Sequence, residues 1–146
     1  MNLSIEYILV CVGNYFTTGQ EPDVSPEMDA ILDEIISFIK STKVVDVRSE
    51  HVQQCCLDGD HYKNTIETLL FRDSATYSDG IDLSLITFIF ALFVKVVEIR
   101  TSVGLCCYDI LFDTQTLMTK YEMSHRMRSN KMYWKDLVKY MRTTKQ

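Results

Sequence analysis

Twelve consecutive uncharged residues, LSLITFIFALFV from Leu83 to Val94, run up to Lys95 and constrain this chain more than any other segment. Nine of them are large and apolar: Leu83, Leu85, Ile86, Phe88, Ile89, Phe90, Leu92, Phe93 and Val94. Burying each contributes roughly 1.5–3 kcal/mol, an upper figure because a real unfolded chain already hides some of that surface. Together they outweigh the roughly 5–15 kcal/mol by which a whole domain is stable. The segment therefore cannot lie on a solvated surface. It is also too short to cross a bilayer, which takes about 20 apolar residues. The rest of the protein must enclose it, as a helix or as a strand.

Hydrophobicity alone does not separate those two, but strands of this length are uncommon and every neighbouring segment has helical period. Leu3–Phe16 carries a stripe at Ile5, Ile8, Leu9, Val12 and Phe16. Ser25-Pro26-Glu27 then offers a cap, a residue suited to the first helical position and a carboxylate for the dipole. From there Met28, Ile31, Leu32, Ile35 and Ile39 predict an amphipathic helix over Pro26–Lys40. Val44–Leu57 is a weaker, short helix, and Asp58-Gly59-Asp60 a break before a helix over Tyr62–Phe71. Ser78, Asp79 or Asp82 can cap the apolar run, which continues to about Arg100. Ser102–Met127 is expected as one long helix, and Asn130 as the cap of a last one holding Trp134, Leu137, Val138 and Met141. With only two prolines and five glycines in 146 residues, long helices are favoured over a many-turned β architecture. The expectation is an all-α single domain, residues 1–146, with its most apolar helix wrapped by amphipathic ones.

The five cysteines are odd in number, and four form the vicinal pairs Cys55-Cys56 and Cys106-Cys107. That pattern predicts free buried thiols in a reducing compartment, not a disulfide framework. Met1–Phe16 lacks the basic region and cleavage pattern of a signal peptide, and the polar residues 142–146 predict no membrane anchor. Asn2-Leu3-Ser4 fits a glycosylation acceptor without secretory context. The net charge of −5 is uneven: Lys120–Gln146 holds eight basic and two acidic residues, a net +6 against −11 elsewhere. The basic residues alternate with Met123, Met127, Met132, Tyr133, Trp134, Leu137 and Val138 at helical spacing, which predicts solvated helix faces and no nucleic-acid surface.

His51, Cys55, Cys56 and His61 are the candidate metal cluster. On a helix His51 and Cys55 share a face, and His61 can return across the Asp58–Asp60 turn. The spacing is not that of a standard zinc motif, and adjacent cysteines seldom both ligate one ion, so buried thiols beside surface histidines, with no metal or cofactor, are the expectation. His51, His61 and His125 lack an accompanying Gly-x-Ser-x-Gly elbow or phosphate-binding loop, and pairs such as Asp33-Glu34 are expected to face solvent. No enzymatic activity is expected. A groove for another amphipathic helix is physically better supported, though periodicity alone does not separate it from stripes satisfied internally.

The flanks of the apolar run tip that balance. YKNTIETLLFRD, Tyr62–Asp73, followed by a polar turn and then Leu85-Ile86-Thr87-Phe88-Ile89-Phe90, resembles the first homology region of the Bcl-2 family. There a helix ending in Leu-Phe-Arg-Asp, here Leu70-Phe71-Arg72-Asp73, precedes a buried central helix. Trp134-Lys135-Asp136-Leu137-Val138-Lys139-Tyr140-Met141 is similar to the second homology region, and Leu3–Phe16 to the family's first helix. The chain departs from the pattern where members carry Asn-Trp-Gly-Arg before the central helix: Tyr77–Ser84 contains no Arg to pair with a ligand's Asp. Pro26–Lys40 takes the place of the third homology region, but Leu32 is followed by Ile36 and Ser37, not the small residue and Asp of a pro-death member. The short Thr17–Val24 loop and absent membrane tail resemble compact members encoded by large DNA viruses.

The resemblance implies a Bcl-2-like bundle with a surface ligand groove, and a viral pro-survival protein that inhibits apoptosis. Its partners would be the third-homology-region (BH3) helices of host Bim, Bak or Bax type, met in the host cytoplasm or at mitochondria where those partners recruit it. By family position the groove is lined by Phe38, Ile39, Ile66, Leu69, Leu70, Ile86, Thr87 and Phe90, with Thr87→Arg the substitution that fills its centre. The alternative is an adaptor of the same fold that binds innate-immune signalling proteins by its outer helical faces. A homodimer is compatible with either.

Overall fold

The computed structural model describes residues 4–73, 83–124 and 131–144. Among them all regular structure is helical: α1 (Ile5–Thr18), α2 (Pro26–Ser41), α3 (Glu50–Leu57), α4 (Gly59–Glu67), α5 (Leu83–Ser102), α6 (Tyr108–Ser124) and α7 (Lys131–Thr144), with α4 prolonged by a π-helical turn over Thr68–Asp73. The proposed caps Ser78, Asp79, Asp82 and Asn130, the His125 ring and the glycosylation pattern's Asn2 lie outside the described residues. No described helix is long and apolar enough to cross a membrane.

The apolar run is a helix, and it is central. α5 packs against α1, α2, α3, α6 and α7. Ile86, Ile89, Phe90, Ala91, Leu92, Phe93, Val94 and Val96 are at most 1 % exposed, so over Ile89–Val94 α5 is buried on every side instead of along one stripe. The surrounding helices are amphipathic and turn their stripes inward: Ile5, Ile8, Leu9 and Val12 from α1, Leu32, Ile35 and Ile39 from α2, and Trp134, Leu137 and Met141 from α7. Ser25 opens α2 as its sequence suggests, accepting a hydrogen bond from the Met28 amide at 3.3 Å ahead of Pro26. Lys135, Asp136, Lys139 and Arg142 of α7 are exposed, and Arg142 reaches back to Glu34 of α2 at 2.9 Å. Glu34 therefore belongs to an ion pair, while its neighbour Asp33 faces solvent.

Three boundaries differ from expectation, each for a local reason. The Val44–Leu57 helix begins only at Glu50, because Ser49 caps it by accepting from the Val52 amide at 3.1 Å. Asp58 ends α3 and at once caps α4, accepting from the Asp60 amide at 3.0 Å, so the expected break is a single-residue corner. Gly59 sits at that corner, where an added Cβ would require the Asp109 carboxylate to shift. The helix expected over Ser102–Met127 begins at Tyr108, since α5 runs to Ser102 and stops there. Gly104, at φ 81°, takes the left-handed conformation while its amide donates to Thr101 O and that of Leu105 to Arg100 O, a Schellman termination.

Candidate functional site

The N-terminal half of α5 opens onto a cleft of about 440 Å³ between the end of α2, the π turn after α4, and α7. Its wall is Phe38, Thr42, Val44, Leu69, Ser84, Leu85, Thr87, Phe88, Tyr140 and Thr144, and none of these carries a charge. Of the eight groove residues expected from family position, the cleft brings together three: Phe38, Leu69 and Thr87. Phe38 and Thr87 show only an edge to it and Leu69 is half-buried. The other five, Ile39, Ile66, Leu70, Ile86 and Phe90, are at most 1 % exposed and belong to the core beneath. Leu85, Phe88, Val44 and Tyr140 line the cleft without having been expected there. Leu85 and Phe88 lie within the apolar run; a phase for α5 would have found them, but a helix apolar on every side offers none. The stretch in which a groove arginine is missing lies largely outside the described residues.

The opposite end of α5 is organised by a buried cation. Arg100 is 8 % exposed. Its Nη1 donates to Cys56 O at 3.1 Å, its Nε and Nη2 donate to Cys106 O at 3.0 and 2.6 Å, and Nη2 also approaches Asp109 Oδ1 at 3.4 Å. One side chain thus ties the end of α3, the α5–α6 connection and the start of α6 to the central helix. Sequence reasoning passed over it; the available signal was a lone arginine ending the apolar helix, where a positive charge also suits the dipole. Nearby, the Tyr62 hydroxyl meets Thr114 Oγ1 at 2.6 Å in full burial. Because Thr114 donates its own proton to Ile110 O at 2.6 Å, Tyr62 is the donor, and burial drives its phenol far above the usual range.

The four residues of the candidate metal cluster divide. His51, Cys55 and His61 converge, their ligand atoms all within 4.8 Å of one another, and Cys56 stands apart with its carbonyl on Arg100. Cys55 is fully buried, His61 half-buried and His51 exposed. Burial raises the thiol pKa of Cys55, Cys56 and Cys11. All five cysteines are free; Cys106 is exposed and Cys107 half-exposed, so the expected buried thiols are three of the five.

On α6, the large side chains of Tyr108, Phe112 and Met123 are 82 %, 65 % and 75 % exposed on a face that also carries Gln115, Thr116 and Thr119. Phe112 and Met123, with Glu6 of α1, border a hollow of about 600 Å³. Compared with family models, curated proteins and solved structures, the chain finds no match.

Proposed function

We propose that the chain is a helix-capturing inhibitor of apoptosis of Bcl-2 type, which holds a death-ligand helix across the cleft between α2, α4, α5 and α7. What supports the reading is an uncharged, largely apolar cleft where Leu69, just before Leu70-Phe71-Arg72-Asp73, faces the first turns of α5, near where the sequence resemblance puts a groove. About 440 Å³ accommodates side chains, not a helix, so the ligand lies along the mouth and inserts apolar residues spaced at i, i+3, i+4 and i+7. There is no chemistry in this function, only burial. It would be carried out in the host cytoplasm or at the mitochondrial surface to which partners bring it.

Calorimetric titration with peptides of Bim, Bak and Bax type tests the proposal. Sub-micromolar binding to any one is expected, and Thr87→Arg should weaken it by at least about tenfold, since placing a cation in an apolar pocket without a partner costs well over 1.4 kcal/mol. Thr87 is nearly buried, so Leu85→Glu, at a half-buried position on the same wall, serves as the second variant. A folded variant that binds with undiminished affinity removes the cleft from the mechanism.

A second reading, an adaptor that docks innate-immune signalling proteins on its outer faces, is favoured by one observation: the exposed Tyr108, Phe112 and Met123 on α6. Silence of the folded chain across the peptide panel would move the function to that face.

A further inference from the structure

The corner between α3 and α4 places three metal-ligand atoms together by simple geometry. His51 and Cys55 are four apart on α3 and so share a face. The single-residue turn at Asp58 folds α4 back over that face and brings in His61 from its first turn. His61 Nε2 and His51 Nδ1 are 3.3 Å apart, with the rings edge to face and their centroids 4.8 Å apart. Two nitrogens bound at about 2.0–2.1 Å to one tetrahedral zinc must be about 3.3–3.4 Å apart. The pair already spans one edge of such a tetrahedron.

The hydrogen bonds around Thr65 set the tautomer of His51. Thr65 Oγ1 donates to His61 O at 2.8 Å, which uses its only proton. Toward His51 Nε2, at 3.3 Å, it must therefore accept, so the proton of the His51 ring sits on Nε2. Nδ1 is left as a bare lone pair aimed at His61. The same hydroxyl lies 3.7 Å from Cys55 Sγ. This is the arrangement of an outer partner that orients a metal-binding imidazole through its second nitrogen. One ligand atom from each of the three residues lies within 4.8 Å of the others, and in a tetrahedral site sulfur stands about 3.6 Å from each nitrogen, so the side chains need only a small rotation to close on an ion.

We propose that His51, Cys55 and His61 form a binding site for a borderline-soft divalent ion, zinc in the first instance. Cys55 Sγ, at the buried floor, binds as thiolate and releases its proton to solvent. His51 binds through Nδ1. His61 binds through Nε2 once the proton that Nε2 donates to His51 Nδ1 in the free protein has exchanged through solvent to its own Nδ1. The exposed side of His51 leaves the fourth position to water. The ion pins α3 to α4, and the site is independent of the cleft function.

Cobalt titration of the full, reduced chain tests this. One ion per chain should bind with a thiolate-to-cobalt charge-transfer band and intense tetrahedral visible bands, and stoichiometric zinc should displace it. Cys55→Ser should abolish the charge-transfer band. His61→Gln should weaken binding beyond the roughly 10–100-fold typical of outer-partner changes, and Thr65→Val by about tenfold. Cys56→Ser should leave the spectrum intact. Because Cys55 is fully buried and its variant can unfold, His61→Gln, half-buried and checked by circular dichroism, carries the test independently. No band with the native chain overturns the proposal. So does a band that survives in folded Cys55→Ser, undiminished affinity in folded His61→Gln, or a band lost in folded Cys56→Ser; the first two of these would leave only a histidine pair sharing one hydrogen bond.

Discussion

At its N-terminal end α5 meets its neighbours through Ile86, Thr87, Ile89 and Phe90, and at its C-terminal end through the buried Val96 and Val97 together with Arg100, which has four polar approaches to three carbonyl or carboxylate oxygens. The first kind of contact is non-directional: apolar surface is satisfied by any apolar surface of suitable shape. The second is directional, and its partners are left stranded if the donor is removed. A helix held in this way can exchange neighbours at one end without losing its place at the other. The cleft lies at the end where exchange is cheap, which is where a ligand helix would have to compete with the protein's own side chains.

The largest effect that tests the contrast is expected at Arg100. Arg100→Met keeps most of the buried volume but leaves Cys56 O and Cys106 O without this donor and Asp109 without its cation. Hydrogen bonds to a charged group contribute roughly 1.5–3 kcal/mol each, so a loss of about 3 kcal/mol is expected in urea unfolding. At the other end, Ile89→Val removes one buried methylene-sized group and should cost about 1 kcal/mol. If the two variants unfold at the same urea concentration, the C-terminal end is no more firmly held than the N-terminal one and the contrast is broken.

A smaller effect is expected in the ligand. No described residue lining the cleft is charged, so under the proposed function the acidic anchor of a ligand helix would meet no cation there and would stay at the solvated rim. Exposed charge pairs contribute about 0.2–1 kcal/mol; replacing the anchor Asp of the peptide by Asn should thus change its affinity by no more than about fivefold. A hundredfold loss would mean that a buried cation faces the ligand, and that the N-terminal end of α5 is polar after all.

The same contrast explains what could be read from the sequence. Burial of Leu83–Val94 was legible because nine large apolar side chains leave no other choice, and the inward stripes of α1, α2 and α7 because their polar faces give them phase. α5 has no polar face over most of its length. Family position could therefore name the helix but not the side that opens outward, which is why Ile86 and Phe90 fall in the core while Leu85 and Phe88 line the cleft. The partners of Arg100 were illegible for another reason: Cys56 is 44 residues away, and a bond to a backbone oxygen leaves no mark on the partner's side chain. The His51–Cys55–His61 convergence was half legible. The shared face follows from helical spacing and the return of His61 from the Asp58–Asp60 turn, but how tightly the corner closes depends on Asp58 serving two helices at once.

The smallest effect belongs to a carboxylate one helical turn beyond Asp109. Asp109 has Arg100 as its partner, whereas Asp113 is half-buried, and burial raises its pKa, with Asp109 and Asp60 adding to the rise and Lys63 opposing it. A carboxyl group raised above its unfolded value of about 3.9 holds its proton more tightly in the native state. Stability is therefore lost as pH rises from that unfolded value through the native one, and at neutral pH the ionised Asp113 is a net cost. Asp113→Asn should stabilise the protein at pH 7 by no more than about 0.5 kcal/mol, since the group is partly solvated. The gain should vanish near pH 3, where both states of the native chain are protonated. Paired thermal unfolding of the two chains across that range reads the difference directly. A destabilised variant at pH 7 would show that Lys63, and not burial, governs this carboxylate, and would extend the favourable polar network of Arg100 one turn further along α6.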